Sequence, residues 1–490
     1  MSDGLADLRQ KGTSSLAWNS ASQAVQLAVT LVRSILLARA LGPEPFGMYA
    51  YAQAIVAITS VFPEFGLGTA YLHRTVETED EDALGVHFTL TVLFSFVWAI
   101  LLLTALWSSS SEDTSWVFVV LVIAAFVTSL SKTAQLRLLR SVTHRRIAIV
   151  DLASTIATTP LALYLAHQGM GIWSLLVIDV VAAWINILGY YVFAPVWRPK
   201  LKWNKGIVSY YVRYGSKILS SNLLALLNDK LDDVWTGRYL GSIDLGFYSR
   251  AYGLANYPAR IVTVPVTGVA GGMYAELKGD RARLSRAFSE INWAVIRASF
   301  LLSGLLFLAA PEFVGLVLGS QWLPVVPPFR LMLGYMMLDP LRYSMGGLPP
   351  MIGRPWVIAR IQVVQLVVLV AMLYLLGPRL GVNGVALAST IMVVVGVVLI
   401  LVRIRQSVDI SVRGLFALPM AALVTGIVLS SIVALAAAPW TEELGSMLLK
   451  GLVFAGVYSA LIGAVEKRRI RDAVTLVLRM SFDRRDQGKP

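Results

Sequence analysis

The sequence has no cysteine, few histidines and few charged residues. Its 490 residues include only four His, and Asp, Glu, Lys and Arg together make up 14%, against about 25% in an ordinary soluble domain. Without cysteine, disulfides, thiolate metal sites and cysteine nucleophiles are excluded. The sequence also has no Walker phosphate-binding loop and no His-Glu-x-x-His motif, and its histidines are scattered. It therefore predicts neither a metal nor a cofactor.

Apolar residues are in excess. They make up 57% of the chain and give a mean hydropathy of +0.68, whereas soluble domains are about 45–50% apolar. A hydrocarbon core about 30 Å thick is crossed by roughly 20 apolar helical residues. Runs of this length recur along the chain, and they are too long and continuous for membrane β-strands. We therefore expect an all-α, polytopic membrane protein.

The apolar runs predict about fourteen transmembrane helices. The runs near 208–237 and 324–350 give the weakest predictions, because polar residues and prolines interrupt them. The predicted spans lie near residues 14–40, 46–72, 84–107, 115–138, 147–166, 171–194, 208–237, 245–273, 287–310, 324–350, 355–376, 381–403, 414–437 and 443–465.

Basic residues concentrate on one side of this predicted topology. The loops after even-numbered spans and the C-terminal tail hold most of them, including Arg198, Lys200, Lys202 and Lys205 in one loop. Because cytoplasmic loops carry an excess of Lys and Arg, both termini are expected to be cytoplasmic. The net charge of +13 is then explained by topology and by contact with anionic membrane lipids, rather than by nucleic-acid binding.

An internal repeat recurs six predicted spans apart. Segments 39–49 and 238–248 share an Arg, a Leu, two Gly and a Tyr at matching positions. Segments 169–175 and 381–387 show a weaker similarity. An even offset keeps both copies in the same orientation, so we expect two parallel repeats related by an axis along the membrane normal.

The repeat predicts two six-helix lobes followed by two extra helices. The predicted segments are a cytoplasmic N-terminus (1–13), an N-lobe (14–194), a basic cytoplasmic linker (195–207), a C-lobe (208–403), helices 13 and 14 (414–465) and a basic cytoplasmic tail (466–490).

The repeat motifs resemble those of the bacterial polysaccharide and O-antigen flippase family, within the multidrug/oligosaccharidyl-lipid/polysaccharide exporter superfamily. The resemblance covers roughly 14–465 and rests on segments 37–49, 65–68, 232–241 and 246–252. It implies that an undecaprenyl-diphosphate-linked oligosaccharide is moved from the inner to the outer leaflet of the cell inner membrane by alternating access. It also implies coupling to Na⁺ or H⁺, with a polysaccharide polymerase or export machinery as further partners.

Several cationic side chains fall inside predicted spans of the second lobe. One charge at the centre of a lone membrane helix costs about 2.5–3.5 kcal/mol on insertion scales, so we expect these side chains to line a hydrated interior. There they would contact the diphosphate of the lipid carrier. The alternative is pairing with Asp339 or Glu290, or extension to the interface. The candidates are Lys217, Arg260, Arg297 and Arg342.

The first predicted span carries a stripe of polar side chains, spaced three and four residues apart on one helical face. We expect this face to contact the sugar or the diphosphate; the alternative is hydrogen bonding to a neighbouring helix. The substrate-binding candidates on this stripe are Asn19, Gln26 and Arg33.

Acidic side chains in the seventh and tenth spans are candidates for ion coupling. Asp229, Asp232 and Asp339 would bind Na⁺ or carry a proton. The alternative is a salt-bridge cluster at the outer interface, with Lys230 within reach of Asp229 and its neighbours. Glu64 is an isolated acid in another span, as is Asp179, and both have the same two interpretations.

Two other functions fit the composition less well. A drug or small-cation exporter of the same superfamily would favour acids and aromatics over several intramembrane arginines. A membrane enzyme of glycan assembly would need room for acid–base groups, and no predicted loop exceeds about 15 residues. The sequence therefore favours transport over catalysis.

Overall fold

The fold was obtained as a computed structural model. It describes residues 22–74, 81–107, 112–141, 143–193, 195–437 and 442–486. Throughout these ranges the regular structure is helical, without strands, which confirms the all-α prediction.

By internal contacts the chain divides into two compact units. The first comprises Met1–Arg250 and Leu369–Val385, and the second comprises Ala251–Val368 and Ala386–Pro490. This division follows contacts, whereas the predicted lobes follow sequence symmetry. The lobe boundaries therefore stay a prediction.

Helices α1 to α10 begin in the first unit. They are α1 (Ser22–Ala40), α2 (Pro43–Thr59), α3 (Val61–Glu64), α4 (Leu67–His73), α5 (Glu81–Trp107), α6 (Glu112–Arg140), α7 (His144–His167), α8 (Trp173–Ile187, continued by a π-helical turn, Leu188–Val192), α9 (Lys205–Tyr239) and α10 (Ser242–Ala255).

Helices α11 to α19 follow, and α16 and α17 contribute residues to both units. They are α11 (Tyr257–Glu276), α12 (Arg281–Phe313, continued by a π-helical turn, Val314–Leu318), α13 (Val326–Leu331, after a 3₁₀ turn, Ser320–Val325), α14 (Leu333–Gly346), α15 (Leu348–Met351), α16 (Trp356–Leu380), α17 (Val382–Ile404), α18 (Val412–Ala437) and α19 (Glu443–Asp486).

Eleven helices in the described ranges are long and apolar enough to cross a membrane. The prediction of a polytopic membrane protein is thus confirmed, while the number of fourteen spans and the cytoplasmic termini stay predictions. Several predicted spans are interrupted: 46–72 breaks at Ser60 and at 65–66, 245–273 breaks at Asn256, and 324–350 forms several short helices.

The predicted span 208–237, weak by sequence, is part of one continuous helix, α9. It begins after Asn204, whose side chain accepts hydrogen bonds from the N–H groups of Gly206 (3.0 Å) and Ile207 (3.3 Å), as an N-cap residue does. It is followed by Gly241 at φ 95°, a conformation that favours glycine. The helix packs on α2 and α4, and its acidic residues are accommodated by pairing with Lys230 and by a hydrogen bond from Tyr248.

The predicted basic linker is packed rather than extended. Trp197 is buried, and its ring meets that of Phe88 edge-on, with the centroids 5.7 Å apart. The backbone N–H of Lys202 donates to Thr89 Oγ1 (3.0 Å), and its ammonium group pairs with Asp82. These contacts hold the linker along α5 in the first unit.

Candidate functional site

The first unit contains a cavity of about 620 Å³. Residues of α2, α3, α4, α5, α6 and α8 line it, and apolar side chains share its wall with hydroxyl, amide and charged groups. Its polar lining comprises Gln53, Ser60, Glu64, His87, Thr91, Ser95, Thr128, Ser129, Lys132, Gln135, Asp179 and Asn186. Such a mixture of apolar wall and converging polar groups is typical of a ligand site.

The carboxylate of Asp179 is held at the cavity wall by two side chains of α2. The Tyr49 hydroxyl donates to Asp179 Oδ2 at 2.7 Å. Gln53 Nε2 donates to the Tyr49 hydroxyl at 2.7 Å and to Asp179 Oδ1 at 3.2 Å. Arg33 lies near enough to interact electrostatically with this carboxylate, while its Nη1 donates to Thr158 Oγ1 at 2.9 Å. The structure thus brings one predicted substrate residue close to an acid of the cavity.

A second acid of the cavity, Glu64, forms an ion pair with Lys132. The pair joins α3 to α6, and both side chains are partly exposed, at 46% and 37% respectively. Glu64 is the last residue of α3, and the left-handed residues Phe65 (φ 40°) and Gly66 (φ 66°) follow it. Among the described residues Phe65 is the one non-glycine residue with positive φ. Such an outlier is often found at a functional site.

Arg297, a predicted diphosphate contact, lies in a buried ion pair of the second unit. Its Nη2 and Nε donate to the two carboxylate oxygens of Glu466 at 2.6 and 3.0 Å. Its Nη1 donates to the carbonyl oxygen of Leu415 at 3.0 Å. Glu290, the partner considered from the sequence, instead binds Arg469 at 2.7 Å. Arg297 thereby joins α12 to α18 and to the kink of α19, which occurs at Glu466.

Arg342 and Asp339 lie one helical turn apart in α14 and contact each other. Arg342 Nε donates to Asp339 Oδ1 at 2.7 Å, and the carboxylate is almost fully buried. The guanidinium also lies 4.5 Å from the ring centroid of Tyr343, in cation–π geometry. A predicted phosphate contact and a predicted coupling acid are therefore partners, which is the pairing with Asp339 considered from the sequence as the alternative to diphosphate contact, here within one helix rather than between two.

The other predicted substrate residues have separate surroundings. Lys217 and Arg260 are exposed. Gln26 Nε2 donates to Ser22 Oγ at 2.8 Å within α1, which favours an intrahelical role for that amide. Asn19 lies outside the described residues.

The acids of α9 form a cluster around one ammonium group. Lys230 Nζ lies 3.4 Å from Asp229 Oδ2 and 3.6 Å from Asp233 Oδ2. Asp232 is buried and accepts a hydrogen bond from the hydroxyl of Tyr248 on α10. Three carboxylates and one ammonium thus occupy little more than one helical turn.

Sequence reasoning did not select Lys132 or Tyr49 as site residues, although both meet acids at the cavity. Lys132 belongs to the basic residues at the end of a span, which topology alone explains. Tyr49 is one of the matching positions of the internal repeat, which was interpreted as a structural motif. The isolated position of Glu64 and Asp179 in apolar spans was the one signal for this cavity.

These features define a multi-pass helical membrane protein with a partly open cavity into which polar side chains converge. The family model described as "Polysaccharide biosynthesis protein" matches residues 36–327, well over half of the chain. The chain belongs to this family.

Two curated relatives extend the comparison. The chain is 25% identical over 327 residues to the succinoglycan biosynthesis transport protein ExoT of Rhizobium meliloti (strain 1021), covering 65% of each protein. It is 22% identical over 402 residues to the lipopolysaccharide biosynthesis protein WzxC of Escherichia coli (strain K12), covering 80% of each. The alignment with ExoT thus spans just under two thirds of that relative.

Two solved structures share the fold. An inward closed structure of the lipid II flippase MurJ superposes with a TM-score of 0.75 at 13% identity, covering 92% of this chain and 99% of MurJ. An inward-facing multidrug resistance MATE family transporter of the MOP superfamily gives 0.58 at 14% identity, covering 80% of this chain and 98% of that transporter. At such identities the likeness concerns the fold alone.

Proposed function

We propose that the protein is a flippase and not an enzyme. Its cargo is an oligosaccharide linked to undecaprenyl diphosphate, which it moves from the inner to the outer leaflet of the cell inner membrane by alternating access. The observation that carries this proposal is the partly open cavity of the first unit, in which polar side chains converge between apolar helices.

The physical obstacle to flipping is the transfer of sugar hydroxyls through hydrocarbon. Each unsatisfied polar group costs several kcal/mol there, so a saccharide needs hydrogen-bonding partners along its path. The cavity offers hydroxyl and amide groups from α2, α5, α6 and α8. A polyprenyl tail has no such requirement and stays in the bilayer.

The printed names of the relatives favour this cargo. ExoT is named a transport protein of succinoglycan biosynthesis, and WzxC belongs to lipopolysaccharide biosynthesis. Both names point to cell-surface polysaccharides, whose sugars must be exposed outside the membrane. A small-cation exporter would not explain these names.

Reconstitution tests the proposal directly. Proteoliposomes containing the full chain should accelerate the appearance of an undecaprenyl-diphosphate-linked saccharide in the opposite leaflet, where an added glycosidase removes the sugar. Thr128→Phe, which fills the cavity, should abolish the acceleration. The matched control is Thr104→Phe, at an exposed site on α5, and it should keep the activity. If the unaltered protein gives no more cleavage than empty liposomes, the flippase proposal fails.

Coupling to Na⁺ or H⁺ is part of the proposal, with Asp229 and Asp232 as the coupling acids. Support comes from the burial of Asp232 in an acidic cluster that holds a single ammonium. Substrate-driven Na⁺ or H⁺ flux in proteoliposomes should vanish in Asp232→Asn and persist in Asp409→Asn, which alters an exposed loop carboxylate. Unchanged flux in Asp232→Asn would leave the cluster a structural one.

The two exposed cations Lys217 and Arg260 are part of the proposal as contacts for the diphosphate outside the cavity.

We also propose a polysaccharide polymerase or export machinery as a partner, because such a protein would consume the flipped repeat unit. Co-purification of a polymerase after crosslinking in membranes would support this partner; recovery of the flippase alone would oppose it.

A further inference from the structure

The charges of the cavity are unequal in number. Two carboxylates line it, those of Glu64 and Asp179, and Lys132 is the one Lys or Arg among the lining residues in the described part of the chain. Asp179 already accepts hydrogen bonds from Tyr49 and Gln53. Among the described lining residues, an anionic group that enters the cavity therefore finds one Lys or Arg side chain, and that side chain is engaged by Glu64.

In the Lys132–Glu64 pair, another anion can replace Glu64 as the partner of Lys132. Both side chains are more than one-third exposed, and exposed pairs contribute only about 0–1 kcal/mol, because water competes with each partner. The diphosphate of the lipid carrier bears two negative charges, one on each phosphate, against one on the carboxylate, and its oxygens also accept charge-assisted hydrogen bonds from an ammonium. It can therefore displace Glu64. The Arg297–Glu466 pair differs, since its side chains are only 8% and 13% exposed.

The backbone fixes Glu64 opposite the lysine. It ends a four-residue helix, and the two left-handed residues after it are pressed against α9. At Gly215 an added Cβ would lie 2.1 Å from the carbonyl oxygen of Phe65, so no larger residue fits there. A left-handed non-glycine residue costs about 1–2 kcal/mol, and such strain persists only where the surroundings enforce it. The broken helix thus places a carboxylate on the wall of the cavity.

We propose that Lys132 binds the phosphate of the lipid carrier within the cavity and that Glu64 is its displaceable counter-ion between transport cycles. The inference rests on the proposed flippase function and names the phosphate-binding residue of its cavity. In the empty cavity Glu64 holds the ammonium group of Lys132 in place. When the headgroup enters, this ion pair breaks and the phosphate binds Lys132.

Binding measurements on the purified full chain test the inference. Undecaprenyl diphosphate is the probe, and undecaprenol, which lacks phosphate, is the control ligand. Lys132→Gln should weaken binding of the diphosphate about tenfold or more and leave undecaprenol binding unchanged. Lys132→Arg should retain most of the affinity, and Glu64→Gln should bind the diphosphate more tightly, because the competing carboxylate is gone.

A charge swap separates ligand binding from a purely structural ion pair. Glu64→Lys combined with Lys132→Glu should leave the unfolding temperature close to that of the unaltered protein but lower the diphosphate affinity, because the cation has moved to α3. Restored affinity in the swap, or unchanged affinity in Lys132→Gln, would overturn the inference while leaving the flippase proposal intact. If the unaltered protein binds neither ligand and shows no flipping, the proposed function itself fails. If Lys132→Gln does not fold, the other two variants test the inference. Glu64→Gln should then raise the diphosphate affinity and the charge swap should lower it, and absence of either change would overturn the inference.

Discussion

Gly47 and Gly246 occupy equivalent positions of the internal repeat, and each packs against the other copy. A Cβ added to Gly47 would lie 1.7 Å from the carbonyl oxygen of Ser242, and one added to Gly246 would lie 2.0 Å from that of Pro43. Pro43 and Ser242 are themselves equivalent, four residues before each glycine. The contact is therefore reciprocal, as in an interface built on a two-fold axis. The glycines recur because the two backbones touch.

Alanine at either glycine should destabilise the protein. The added methyl group meets backbone atoms that cannot move as a flexible side chain would, and such overpacking costs about 1–3 kcal/mol. Gly42→Ala is the matched control, since a Cβ there meets nothing within 4 Å. We expect a lower unfolding temperature in detergent for Gly47→Ala and Gly246→Ala, and little change for the control. Equal unfolding temperatures in all three would contradict the reciprocal contact.

Removal of Arg297 alone should destabilise the second unit. Glu466 would be left buried without its guanidinium, and loss of one partner of a buried pair costs about 3–5 kcal/mol. Replacing both residues, as in Arg297→Met with Glu466→Leu, should recover most of the stability, because no charge is left buried. Unfolding temperatures measure both effects. If the double variant is stable but transport is lost, Arg297 acts on the substrate after all.

Tyr248→Phe should destabilise the protein, because it removes a hydrogen bond to the buried Asp232 of α9. The hydroxyl of Tyr248 donates to Oδ2 of Asp232, a residue that is only 2% exposed. The backbone N–H of Asp233 still donates to Oδ1, but a buried acceptor that loses one hydrogen bond costs about 1–3 kcal/mol. Tyr164→Phe is the control, because that ring is 60% exposed. The unfolding temperature should fall in Tyr248→Phe and remain unchanged in Tyr164→Phe. Equal unfolding temperatures in the two variants would argue against the hydrogen bond.

Two tryptophans of the basic linker should respond differently to truncation. Trp197 is 4% exposed, whereas Trp203 is 59% exposed. Trp197→Ala removes a large buried ring, a change that costs about 3–5 kcal/mol, and Trp203→Ala should cost little. Limited trypsin digestion at the linker lysines would then be faster in Trp197→Ala. Equal digestion rates would mean that the linker does not depend on this packing.

The predicted cations were selected by the cost of a charge in hydrocarbon, and sequence proximity suggested a correct partner only for Arg342, which pairs with Asp339. Arg297 was expected to be expensive in hydrocarbon, and its side chain is indeed compensated, yet its partner Glu466 lies 169 residues away in the sequence. Lys132 shows the converse. Its position near the end of a span has an explanation in topology alone, and its partner Glu64 lies 68 residues away in the sequence.

The sequence by itself determined the class of this protein. Long apolar runs can satisfy their backbone hydrogen bonds in a membrane only as helices, so composition and run length were sufficient to predict an all-α polytopic chain. Of the five positions that made the repeat visible, backbone contact explains one, since it restricts Gly47 and Gly246 to glycine in the two copies. Tertiary structure alone decided which charges distant in sequence meet, where helices break and which polar groups share a cavity. Those depend on packing between residues far apart in sequence, about which local patterns carry no information.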